Sequence, residues 1–141
     1  MIATVPTFLD AFLSPIRDST AAQVGITAVL ILMVLDIVFG LANAIAKGEY
    51  ESSKMREGIA HKCAELGFIL VGIIADATII GGVDIGFTAP VLVTVCVYLA
   101  VMEIGSLLET FAKMNPQLAK SPLFKLLASV VPEHEEDGED D

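Results

Sequence analysis

Charge is scarce in this chain, and positive charge scarcest. Only 18% of its 141 residues are Asp, Glu, Lys or Arg, against about 25% in an ordinary soluble domain. Eight lysines and arginines face eighteen acids, for a formal net charge of −10. A nucleic-acid binder needs a basic stripe or face, so that class is excluded. The two cysteines, Cys63 and Cys96, are far apart and form no C-x-x-C, which leaves neither a disulfide scaffold nor a metal site to expect. The two histidines, His61 and His134, belong to no H-E-x-x-H motif. No glycine-rich phosphate loop and no Ser/His/Asp set accompanies them, so no enzyme and no cofactor is expected. A chain of this length is one domain at most.

Apolar residues are abundant, at 55% of the chain. A soluble protein so composed would expose large sticky patches. Three apolar runs dominate: 24–45, 64–80 and 89–108. At about 1.5 Å per residue each approaches or covers the roughly 30 Å of a bilayer's hydrocarbon core. The expectation is an all-α integral membrane protein with three transmembrane helices, its membrane domain spanning residues 21–114. Thr20-Ala-Ala-Gln23 has capping-box spacing, which predicts a first helix from Ala21. Lys47-Gly48 reads as its end. Ser53 is a candidate cap for an amphipathic lead-in, Lys54 to Lys62, to the second span, and Gly81-Gly82 closes that span. Pro90 suits the first turn of the third helix, and Asn115-Pro116 stops it.

Residues 1–20 form an N-terminal amphipathic segment, with Phe8, Leu9, Phe12 and Leu13 on one face. A second amphipathic segment, 115–132, gathers Leu123, Phe124, Leu127 and Val130. Either lies in the membrane interface or packs against the bundle ends. Residues 133–141 hold seven acids and no apolar side chain, the composition of a solvated, disordered tail. Ala42-Asn-Ala44 imitates a signal-peptidase site. The stretch before it is too long, contains Asp36 and lacks a basic leader, so no cleavage is expected there.

Lysine and arginine counts set orientation. Residues 46–63 carry four: Lys47, Lys54, Arg56 and Lys62. The loop 81–88 has none, the N-terminal segment has Arg17, and three follow Leu108. The alternation predicts the N-terminus outside, the loop 46–63 inside and the C-terminus cytoplasmic. Within the spans Asp36, Asp76 and Glu103 have no lysine or arginine to pair with. Carboxylates at that depth usually face a bundle interior or water. Asp36, Gly40, Asn43 and Lys47 share one face of the first helix. His61, Glu65, Gly72 and Asp76 share one face of the second, and Glu103, Ser106 and Thr110 one face of the third. Gly40 and Ala44 also allow close helix approach. In one reading these stripes meet inside one protomer with the acids protonated and hydrogen-bonded. In the other they line an aqueous lumen, which three helices can enclose only as an oligomer.

The order of several short pieces resembles the phage holin family, which includes toxin-secretion holins. They are Leu35-Asp-Ile-Val-Phe-Gly40; Ser52-Ser-Lys54 with Gly58 and Lys62; Asp76; and Glu103, Ser106 and Glu109 within Met102–Thr110. Asn115-Pro-Gln-Leu118 follows the family's pattern as well, and together they cover about residues 34–127. Met102 and Thr110 replace two family asparagines. The resemblance implies a holin of the bacterial cytoplasmic membrane. Such a protein oligomerises with itself in the bilayer into lesions that collapse the proton-motive force and release an endolysin or a toxin-like cargo. The endolysin is then a functional partner, not necessarily a bound one. Asp36, Gly40, Asn43, Glu65, Gly72, Asp76, Glu103, Ser106 and Glu109 are the candidate pore- or oligomer-facing residues. Two other classes compete: a small transporter or channel subunit, for which an internal repeat is expected and none is found, and an accessory protein that regulates a holin.

Overall fold

The computed structural model describes residues 7–81 and 90–132, and the side chains from Leu9 onward. Among the described residues every regular element is helical. Helix α1 (Thr7–Arg17) leads into α2 (Thr20–Lys47), α3 (Ser52–Ile80) and α4 (Val91–Met114). A 3₁₀ turn (Leu118–Lys120) and a short α5 (Pro122–Ala128) follow. The segments 1–6 and 133–141, the acidic tail included, lie outside the described residues.

Helices α2, α3 and α4 are each long and apolar enough to cross a membrane. At 28, 29 and 24 residues, they measure about 42, 43 and 36 Å. Helix α4 is the centre of the bundle: α2 and α3 both pack chiefly on it and touch each other little. The core joins Ala22, Val29 and Met33 of α2 to Ile69 and Ile73 of α3 and to Leu92, Val95, Cys96 and Leu99 of α4. The outward faces are equally apolar. Val24, Ile31, Val34 and Ile45 are 63%, 55%, 59% and 62% exposed on α2, and Phe68, Val71 and Ile74 stand outward on α3. Water would not tolerate such a surface, whereas lipid would.

Two glycines set the closeness of the packing. A Cβ on Gly25 would lie 2.9 Å from the Cβ of Cys96, and one on Gly72 would lie 3.1 Å from the Cα of Leu92. Absent side chains at these points let α2 and α3 reach α4 backbone-close.

The helix ends refine the sequence expectations. Helix α2 starts at Thr20, one residue earlier than expected, because Ser19 is its cap: the Ser19 hydroxyl accepts from the Ala22 N–H at 3.2 Å. Gln23 serves the joint instead of a capping box, donating to the carbonyls of Ile16 (3.0 Å) and Arg17 (3.1 Å). Gly48 closes α2 with φ 68°, the left-handed conformation that favours glycine. Ser53 does not cap α3; it lies within the helix, which starts at Ser52 after Glu51. Pro90 sits one position before α4, as its N-cap residue.

Helix α1 packs on α3 and α2. It does so through Phe12, Ser14, Pro15 and Ile16, while Leu9 and Leu13 are turned outward, so the expected apolar face is rotated. Ser14 and Pro15 are buried against the bundle end, where they line a cleft with Ile79 and Ile80. At the end of α1, Arg17 pairs with both Asp10 and Asp18. The hydrogen bond from Arg17 holds the Asp18 carboxyl below its ordinary range.

Candidate functional site: a buried ion-pair cluster

Three helices bring their charged residues to one level. Helices α2 and α3 are joined by a short loop, and Asp36 and Lys62 lie nearly equally far from its centre in sequence, so the antiparallel pair brings them to about one height. Glu103 of α4 arrives at the same height. The Lys62 ammonium contacts Asp36 Oδ2 at 3.0 Å, Glu65 Oε2 at 3.6 Å and Glu103 Oε1 at hydrogen-bonding distance. Ser106 of α4 donates to Asp36 Oδ1 at 2.7 Å. His61 Nε2 lies 3.2 Å from Glu65 Oε1, one turn along α3. One cation therefore gathers three carboxylates from three helices.

The cluster is well shielded. The side chains of Glu103, Glu65, Lys62 and Asp36 are 1%, 11%, 13% and 16% exposed. Glu65 Oε2 and Glu103 Oε2 are buried without a hydrogen-bond partner. A cleft of about 670 Å³ reaches the cluster, with Lys54, Glu57, His61 and Glu109 also in its lining. Among the described residues no group of histidines, cysteines and acids is arranged to hold a metal ion. Cys63 and Cys96 are both free.

The sequence expectation that the intramembrane acids lack a basic partner is corrected here. Lys62, assigned to the inner loop as a topology-setting residue, belongs to the bundle. Helix α3 begins twelve residues before the apolar run 64–80 and is continuous, so it carries Lys62 inward beside the apolar part of α2. The long apolar stem of lysine lets its ammonium reach sideways to the acids. Asp36, Glu65 and Glu103 gather around Lys62 within one chain and so have a basic partner there.

The remaining candidates disperse. Asp76 stands at the far end of α3 and caps α4: its Oδ1 accepts from the Val91 N–H at 2.9 Å and its Oδ2 from the Leu92 N–H at 3.0 Å. Pro90, the residue before α4, has no side-chain oxygen for this task, so a carboxylate from another helix satisfies the free donors and faces the positive end of the helix. Gly72 is in the α3–α4 contact. Gly40 lines a groove between α2 and α3 with Ala44, Tyr50, Met55 and Gly58. Asn43 is half-buried and makes no side-chain hydrogen bond among the described residues. Glu109 is exposed and pairs with Lys113 at 2.6 Å. Lys47, Lys54 and Arg56 are exposed near the α2–α3 loop, where Lys54 pairs with Glu51 at 3.5 Å.

Residues 20–128, well over half of the chain, match the bacteriophage holin family. The chain belongs to that family. The match begins at the first residue of α2 and ends at the last of α5, so it takes in the three long helices and the cluster between them. No curated protein and no solved structure matches the chain. This is therefore a holin-type, multi-pass protein of the inner membrane, from a family that forms membrane pores. In this holin the family-like residues Asp36, Lys62, Glu103 and Ser106 are the ones that meet in space, which the resemblance alone did not require.

Proposed function

We propose that this holin accumulates in the cytoplasmic membrane as packed protomers and then assembles with copies of itself into lesions. The lesions collapse the proton-motive force and give an endolysin access to the cell wall. The observation that carries this reading is the charged cluster buried between three bilayer-length helices. A protein that only spans the membrane gains little from four ionisable groups at such depth, where each is costly. A protein that must later turn those faces to water has a use for them. In the resting protomer Lys62 offsets the acids; in the assembled state Asp36, Glu65, Lys62 and Glu103 line the aqueous side. Gly40, Asn43, Ser106 and Glu109 complete the polar faces, while Gly72 and Asp76 hold α3 on α4.

Orientation follows the cations. Without Lys62, the α2–α3 loop still holds Lys47, Lys54 and Arg56, which favours that loop and the C-terminus inside and the N-terminus outside. The domain division proposed is 1–20 as an outer amphipathic segment, 21–114 as the membrane domain, 115–132 as an inner amphipathic segment and 133–141 as a solvated tail. The exposed Leu123, Leu126, Leu127 and Val130 of the inner segment suit contact with the membrane interface.

Expression together with an endolysin that has no export signal tests the reading. Abrupt lysis is expected with both proteins and none with endolysin alone. Asp36→Leu shifts the time of lysis or abolishes it; no lysis from the native pair, or native timing from the variant, contradicts the proposal.

A further inference from the structure

After α4 the chain doubles back, and its last described residues reach the charged cluster. From Met114 it turns at Asn115-Pro116, passes through the 3₁₀ turn and α5, and delivers Val131 to Gly105 of α4. Gly105 lies nine residues above the end of α4, about 13 Å along its axis. The seat is made by glycine: a Cβ there would fall 2.7 Å from Val131 Cγ1. Val131 also lines the cleft that leads to Asp36, Lys62, Glu65 and Glu103. Gly105 itself stands between Glu103 and Ser106, two members of the cluster.

The attachment is purely apolar. Among the described residues no side-chain hydrogen bond or ion pair joins residues 118–132 to α2, α3 or α4; the side-chain bonds there, Ser121 to Phe124 and Ser129 to Leu126, are internal. Leu123, Leu126 and Val130 remain 66%, 65% and 66% exposed. A segment that touches α4 through few residues and no side-chain hydrogen bond among the described residues, beside the charged cluster, is lightly held.

We propose that residues 118–132 form a strap that lies along one wall of the cleft and keeps the three helices in their packed, non-permeabilising arrangement. Seating Val131 on Gly105 narrows the cleft beside Glu103 and Ser106 and occupies that stretch of α4. Release uncovers that stretch for water and for another protomer. The strap rests on the holin reading for its role but not for its contact.

A disulfide tests both. The Cβ position at Gly105 lies 3.8 Å from Val131 Cβ, which is the usual Cβ separation of a disulfide, about 3.8 Å. Cys63→Ala and Cys96→Ala give a cysteine-free parent, to which Gly105→Cys and Val131→Cys are added. In dye-loaded liposomes, oxidation should cross-link the pair within one chain and abolish dye release, and dithiothreitol should restore it to the parent's level. Val131→Asp in the native chain should release dye faster than the native protein. Failure to cross-link overturns the strap's seat, and full release from the cross-linked protein overturns its restraining role. No release from the parent or the native protein overturns the permeabilising reading and the strap's role with it, while cross-linking still reports the contact separately.

Discussion

Lys62 is the residue on which the resting bundle turns. Among the described residues its ammonium is the one lysine or arginine group against Asp36, Glu65 and Glu103, and removing one partner of a buried ion pair leaves uncompensated charge, at a cost of about 3–5 kcal/mol. Lys62→Met is therefore expected to lower unfolding stability in detergent by about 3 kcal/mol, and adding Glu103→Gln should recover part of the loss. Equal stability of native protein and Lys62→Met, measured by thermal or denaturant unfolding, would sink this assignment. Asp76 makes a different kind of contribution, supplying both carboxylate oxygens to the start of α4. Asp76→Ala should cost about 1–2 kcal/mol, the worth of a helix cap, and speed amide exchange at Val91 and Leu92. The acids were legible in the sequence as costly and inward-facing. Their partner was not, because Lys62 stands in a polar stretch that reads as loop. The signal that would have found it is near-symmetry about the α2–α3 turn, which brings Asp36 and Lys62 to about the same height on two antiparallel helices.

At the scale of the element, hydrophobic run length located the three long helices, and the glycine after Lys47 and the Asn-Pro after Met114 marked two ends correctly. The starts were harder to read. Ser19, Thr20 and Ser53 are all acceptable caps by composition, and only the neighbouring chain decides among them: Gln23 is engaged with the end of α1 and leaves the capping to Ser19. The apolar run 64–80 understated α3 because periodic apolarity stops where polar partners begin, not where the helix does. What run length cannot show is which helix is central, since that depends on where small residues permit approach. Gly72 against Leu92 and Gly25 against Cys96 make α4 that helix. Gly72→Leu should push α3 off α4 and cost about 1–3 kcal/mol by overpacking, with Gly40→Leu, which meets open space, near neutral in the same unfolding assay. A cost at Gly40 matching that at Gly72 would contradict this packing.

For the whole molecule, the net charge of −10 divides by place rather than spreading over a surface. Seven acids belong to the final nine residues, Asp36, Asp76 and Glu103 are spent on contacts between helices, and Glu65 pairs within α3. The result is a bundle that is apolar toward lipid and apolar in its core, with one charged cluster buried between its helices. Composition was enough to choose the membrane, and motif order enough to indicate the family. The convergence of the charges on one lysine needed three dimensions. On the proposed function, this bundle opens the membrane once it has assembled. The membrane potential of bacteria expressing this chain alone, followed with a voltage-sensitive dye, tests that step without an endolysin. A stable potential during accumulation and then an abrupt collapse is expected; a potential that stays at the level of uninduced cells, with the protein in the membrane, would contradict the proposal.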